Sequence, residues 1–179
     1  KTWDDLMAAV PFLQYNNMIV GIPKELAGYE LFLYQMGGEL YADNGMRIND
    51  SNTALEAFDT LCSYFTQYSF PVTYDFANRF RTGEMPMLLQ NYAFYNQLSV
   101  AAPEIKGLWS FAHVPGSYVT DENGNKVKDE NGNYKINYTA NSGSSGAVIF
   151  TSYKDVGAAW NFIDWFTTTD VQVEYGKTI

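Results

Sequence analysis

The chain has one cysteine and one histidine. A single thiol allows no internal disulfide and no cysteine zinc cluster, and a single imidazole confines any Ser-His-Asp chemistry to one place. Basic side chains are also scarce: 11 Lys and Arg against 20 Asp and Glu leave a net charge of −9. Nucleic acid and anionic membrane surfaces need a basic patch, so the charge balance argues against both as partners. No apolar run reaches the roughly 18 residues of a membrane-spanning helix. Charged residues make up only 17% of the chain, below the usual roughly 25%.

Aromatic residues are abundant instead: 14 Tyr, 12 Phe and 4 Trp among 179 residues. A chain of this length buries about 70% of its unfolded surface, which is enough for one domain with a real core. Tyrosine at this density suits surfaces that are half wet and half apolar, as in a ligand cleft or a lobe interface, and it equally suits an aromatic core. Cys62, within Leu61-Cys62-Ser63-Tyr64-Phe65, reads as a small core residue. Lys1-Thr2-Trp3 opens directly on a helix start and Thr178-Ile179 has no polar tail, so a longer parent protein is expected.

The pattern mixes strands and helices, with helix dominant. Thr2-Trp3-Asp4-Asp5 reads as a capped helix start carrying Trp3, Leu6, Met7 and Val10, with Pro11 ending that region. A strand is expected over Asn17 to Ile22, then a buried helix from Glu25 to Met36 that stops at Gly37-Gly38. Asn44-Gly45 marks a hairpin, and Ser51 or Thr53 caps a helix whose face is Leu55, Phe58, Leu61, Cys62 and Phe65. A short helix from Asp75 to Thr82 closes at Gly83. A strand follows from Met85 to Leu89, then a helix from about Tyr92 to Ala102 and a strand from Leu108 to Val114. Ala147 to Phe150 reads as a strand, and Ser152 as the cap of a last long helix with Val156, Ala159, Trp160, Ile163 and Phe166 on one face.

Asp121-Glu122-Asn123-Gly124-Asn125 recurs eight residues later as Asp129-Glu130-Asn131-Gly132-Asn133. The two Asn-Gly pairs around Lys126-Val127-Lys128 predict a three-stranded meander. The repeated acids and amides also raise calcium, but the twelve-residue EF-hand pattern ending in a bidentate Glu is missing. No metal is expected.

Catalytic motifs are thin. His113 lies at a strand end without a Gly-x-Ser-x-Gly elbow and reads as a structural residue. Glu39, Asp43, Asp75 and Glu84 could supply a glycosidase pair, and each has an ordinary reading as a loop or cap acid. Gly143-Ser144-Ser145-Gly146 lacks the Gly-Lys-Ser/Thr ending of a phosphate loop, so no nucleotide or other cofactor is expected. The same loop could present hydroxyls to a ligand or simply leave a hairpin. The binding candidates are Tyr29, Asn91, Tyr92, Tyr95, Ser144 and Ser145: aromatic faces stack on sugar rings, while amides and hydroxyls meet sugar hydroxyls. Core packing is the alternative fate for each tyrosine. Trp3, Trp160 and Trp165 read as core or lobe-interface residues.

Five segments follow one another over nearly the whole chain. They are Thr2-Trp3-Asp4-Asp5-Leu6, Leu33-Tyr34-Gln35-Met36-Gly37-Gly38-Glu39-Leu40, Phe80-Arg81-Thr82-Gly83-Glu84-Met85-Pro86-Met87, Val114-Pro115-Gly116 and Ala158-Ala159-Trp160-Asn161-Phe162-Ile163. In that order they resemble the Thr-Trp-Asp-Glu-Leu, Gln-Asn-Gly-Gly-Glu, Phe-x-x-Gly-x-x-Ala-Met, Leu-Pro-Gly and Ala-Ala-Trp-x-Phe-Ile segments of the extracellular solute-binding proteins (family 1) of carbohydrate ABC transporters. The resemblance implies an α/β, type II periplasmic-binding-protein-like lobe, helix-dominated around a small mixed sheet. Residues 1–179 are then one C-terminal lobe, with an inserted β meander at about 117–139 and the N-terminal lobe of the same protein missing from this chain.

The implied function is not enzymatic. It is extracytoplasmic capture of a sugar or oligosaccharide by hinge closure and delivery to the ABC transporter permease, from a bacterial lipoprotein or periplasmic protein. The family commonly places a Trp over the sugar after the Ala-Met strand, where this chain has Tyr92 and Tyr95. Its Gly-Gly loop corresponds here to Ser144-Ser145-Gly146. A carbohydrate-active enzyme and a stand-alone carbohydrate-binding or sensor module are the alternatives.

Overall fold

The computed structural model describes residues 1–42, 45–46, 51–141 and 146–178. The fold is helix-rich α/β with small sheets. It divides into two units, Lys1–Asn141 and Ser142–Ile179.

In the first unit, α1 spans Trp3–Tyr15. Its capping box forms as the sequence predicts: the Asp5 N–H donates to the Thr2 hydroxyl at 3.2 Å, and the Thr2 N–H donates to the Asp5 carboxylate at 2.7 Å. Pro11 does not end the helix but lies inside it, at an exposed position. β1 (Val20–Gly21) leads into α2 (Leu26–Gln35), the centre of the unit, with Leu31, Phe32 and Leu33 all buried. This burial follows from a helix apolar on most sides. β2 (Tyr41–Ala42) and β3 (Gly45–Met46) pair antiparallel as the Asn44-Gly45 signal predicts, while Asp43 and Asn44 lie outside the described residues.

α3 (Asn52–Thr66) is capped by Ser51, whose hydroxyl accepts from the Ala54 N–H, and not by Thr53. Its buried face is Ala54, Ala57, Leu61 and Tyr64, with Leu55 and Phe58 more than half exposed. The small alanines let α3 lie close along α2, and this orientation leaves Leu55 and Phe58 on the outward side. The resulting core joins α1, β1, α2 and α3 through Trp3, Val10, Val20, Ile22, Phe32, Ala57, Leu61 and Tyr64.

α4 (Phe76–Arg81) starts on Asp75, whose carboxylate accepts from the Asn78 N–H. β4 (Met87–Leu88) then pairs parallel with β1, Val20 opposite Met87 and Gly21 opposite Leu88. α5 spans Ala93–Ala101, followed by a 3₁₀ turn at Pro103–Ile105. The expected strand from Leu108 to Val114 does not form: no described segment offers it a ladder, and its aromatic side chains dock on other rings instead.

The two tight turns form as predicted, but the first and last strands also pair with each other, so the three segments close on one another instead of lying as an open meander. β5 (Ser117–Tyr118) pairs with β6 (Ile136–Asn137), and bridges join Thr120 to Lys126 and Lys128 to Tyr134. In each turn the Asp carboxylate accepts two backbone N–H bonds at 2.9 Å, from Asn123 and Asn125 and again from Asn131 and Asn133. Gly124 and Gly132 supply the left-handed residue, at φ 80° and 82°. The N–H of Val119 bonds the carbonyl of Lys135, that of Val127 bonds Val119, and that of Lys135 bonds Val127.

One side chain ties these parts together. Gln35, at the end of α2, is 2% exposed. Its carbonyl oxygen accepts from the Trp3 indole N–H at 2.8 Å and the Ser117 hydroxyl at 2.9 Å. Its amide donates to the carbonyls of Pro115 at 2.9 Å and Thr139 at 3.1 Å. Asn137 reinforces the junction by donating to the carbonyls of Tyr34 and Gln35.

In the second unit, α6 (Val156–Phe166) is capped by Asp155, which accepts from the Ala158 N–H at 2.9 Å, and not by Ser152. A carboxylate so placed makes the stronger, charge-assisted cap and starts the helix later. Residues 147–150 form no strand. α7 (Thr169–Thr178) follows, with Tyr175 set edge-on to Phe166 at 5.5 Å. Trp3 is a core residue as expected, whereas Trp160 and Trp165 are more than half exposed.

Two predictions follow from this architecture. Gln35→Leu strands an indole N–H and two carbonyls; at about 1–3 kcal/mol per buried unpaired group, urea denaturation should register a loss of at least ~3 kcal/mol. A loss under ~1 kcal/mol would mean that Gln35 is not the tie described. The second prediction concerns acid stability. Asp5, Asp121 and Asp129 titrate below the ordinary value of 3.8, chiefly because the backbone N–H groups of Thr2, Asn125 and Asn133 bond their charged forms. Depressed folded values contribute stability that is complete above 3.8 and is lost as pH falls through the lowered values. A stability-versus-pH curve of the Asp121→Asn/Asp129→Asn variant should be flatter than that of the parent below about pH 4.

Candidate functional site

α5 begins directly after the β1–β4 pair, at the carboxyl ends of its parallel strands. The Phe94 N–H bonds the Asn91 carbonyl and the Tyr95 N–H bonds the Tyr92 carbonyl, so the first turn projects Tyr92 and Tyr95 from one side. The opposite side buries Phe94 and Leu98 in a second apolar cluster with Ala102, against which Phe76, Phe80, Leu88 and Trp109 pack. The helix is therefore anchored by its apolar face and leaves its tyrosine face in solvent.

After the 3₁₀ turn, Gly107 at φ 84° redirects the chain. In the segment that follows, Trp109 and Phe111 lie on the same side, their ring centroids 5.6 Å apart. Trp109 is half-buried and meets Phe80 at 6.0 Å, Tyr95 at 5.9 Å and Phe111 at 5.6 Å, all edge-on. Tyr92 lies nearly parallel to Tyr95 (5.9 Å, 13°) and to Phe111 (5.6 Å, 23°). The outer three rings remain open to solvent: Tyr92 is 73% exposed, Phe111 59% and Tyr95 42%. The exposed Asn91 sits at the margin.

Three of the predicted binding residues thus come together: Asn91, Tyr92 and Tyr95. Tyr29 does not join them; it is buried in the main core on α2, and that burial raises its phenol pKa. Ser144 and Ser145 lie outside the described residues. The members that sequence reasoning missed are Trp109 and Phe111. Their signal was the alternation Trp109-Ser110-Phe111, which puts two aromatics on one side of an extended segment whether or not it pairs as a strand.

Two of the candidate acids have local roles. Asp75 caps α4, and Glu84 meets Arg79 at 3.3 Å. Arg81 meets Glu104 at 3.5 Å. Asp43 lies outside the described residues, and Glu39 and His113 are exposed. Among the described residues no group of three His, Cys, Asp or Glu could hold a metal ion, and no helix is long and apolar enough to cross a membrane. Compared with known proteins, the chain matches no family model and no curated protein.

The cluster divides into a wedge and an outer surface, and truncation should separate the two. Trp109→Ala removes the wedge and should cost roughly 2 kcal/mol, less than the 3–5 of a fully buried aromatic. Tyr92→Ala and Phe111→Ala should stay within about 0.5 kcal/mol of the parent. Chemical denaturation of the three variants makes the comparison, and equal costs would contradict the division.

Proposed function

We propose that this chain is a lobe of an extracytoplasmic solute-binding protein and takes up a sugar or oligosaccharide for an ABC importer. The observation that carries the reading is the exposed set of Tyr92 and Tyr95, which follow β4, and Phe111, with Trp109 packed against Tyr95 and Phe111. Open aromatic faces match the apolar faces of sugar rings, and phenol and amide groups match their hydroxyls. The five segments that resemble the carbohydrate-binding family support the same reading. So does the parallel pair whose carboxyl ends precede the rings, the usual side for ligands in α/β folds.

In this reading the rings supply one wall of a cleft and a second, N-terminal lobe supplies the other. Sugar bridges the two walls, the hinge closes, and the permease recognises the closed state. No bond is broken. The type II periplasmic-binding-protein lobe is part of the same proposal, with Asn91, Tyr92, Tyr95, Trp109 and Phe111 as the contacts. A stand-alone carbohydrate-binding module is the second reading, favoured by the fact that the whole ring cluster lies within one unit.

Titration calorimetry of the protein against a broad panel of neutral glycans tests the proposal. Binding is expected for at least one glycan, with Tyr92→Ala lowering affinity roughly tenfold, about 1.4 kcal/mol. Absence of binding across the panel, for this chain and for a longer chain carrying a second lobe, would defeat it. Tight binding by this chain that a second lobe does not improve would favour the module.

A further inference from the structure

On the reading just given, we infer that the aromatic surface engages at least two consecutive rings of a neutral oligosaccharide. The rings set the length of the ligand. The centroids of Tyr92, Tyr95 and Phe111 form a triangle with sides of 5.6, 5.9 and 6.1 Å, and their planes differ by 13° to 36°. Near-parallel rings this far apart are offset and do not eclipse one another, so adjoining faces stay open. One pyranose covers about one aromatic face. A monosaccharide therefore leaves most of the surface wet, whereas the next sugar of a chain, displaced by about a ring's width, reaches the neighbouring aromatic.

The electrostatics set the class of ligand. The side chains of Asn91, Tyr92, Tyr95, Trp109, Ser110 and Phe111 carry no formal charge at neutral pH. The two arginines of the adjacent α4 are already engaged, Arg79 by Glu84 and Arg81 by Glu104. With a net charge of −9, the chain repels a polyanion before contact. An uncharged surface on an acidic protein is complementary to a neutral, polyhydroxylated chain and disfavours uronic-acid or sulfated glycans.

The experiment is a calorimetric titration with gluco-, manno-, xylo- and galacto-oligosaccharide ladders running from monosaccharide to hexasaccharide, with oligogalacturonides as the charged control. For the series that binds, affinity should rise at least tenfold from monosaccharide to trisaccharide and then level off. Phe111→Ala should reduce that gain. A monosaccharide that binds as tightly as its trisaccharide would overturn the inference and leave the sugar-binding reading standing, and oligogalacturonides that bind as well as neutral chains would do the same. Failure of every glycan of every length would remove the underlying reading as well.

Discussion

The unit 1–141 depends on the satisfaction of one buried amide. Gln35 has two donor hydrogens and two acceptor lone pairs, and all four are used: by the indole of α1, the hydroxyl of β5 and the carbonyls on either side of the meander. A buried amide left partly unpaired costs more than any one of these bonds contributes, so the segments are correlated: each holds its place only while the others hold theirs. This explains how a meander distant in sequence stays fixed to a helix near the start of the chain. The exposed pair between Lys126 and Asp4, at 3.0 Å, adds a weaker link between the same two parts.

The ring cluster depends on a second and simpler division of labour. Phe94 and Leu98 hold α5 by one side, and Trp109 fills the gap between α4 and the extended segment. Side chains that bind gain most when they are held in place beforehand, because less motion is lost on contact. Tyrosine and phenylalanine already have few rotatable bonds. Tyr95 and Phe111 rest against the half-buried Trp109, which restricts them further.

Features governed by near neighbours were legible in the sequence. The capping box of Thr2 and Asp5, the paired Asn-Gly turns and the grouping of Tyr92 with Tyr95 all involve residues within a few positions of one another. Features decided by distant partners were not. The face α3 buries is chosen by how closely α2 can approach Ala54 and Ala57, which no helical period reveals. Leu108 to Val114 has strand composition, but a strand needs a partner, and ring packing took precedence. Tyr29 and Tyr92 are equally plausible surface tyrosines by composition; only their helices' surroundings separate a core residue from a solvent-facing one. Gln35 looked like one polar letter in an apolar helix, because its four partners lie between 32 and 104 residues away.

The meander has a consequence for self-association. An exposed strand edge with unpaired N–H and carbonyl groups is ordinarily a site where copies of a chain zip together. Here Val119, Val127 and Lys135 each donate one backbone bond and accept one, from one another, in a closed ring. At that rung there is no edge to offer: the backbone N–H and carbonyl of each of these three residues are already paired. The eight-residue repeat brings the chain back to the same rung on each pass, and so builds into this exposed segment its own protection against edge-to-edge stacking.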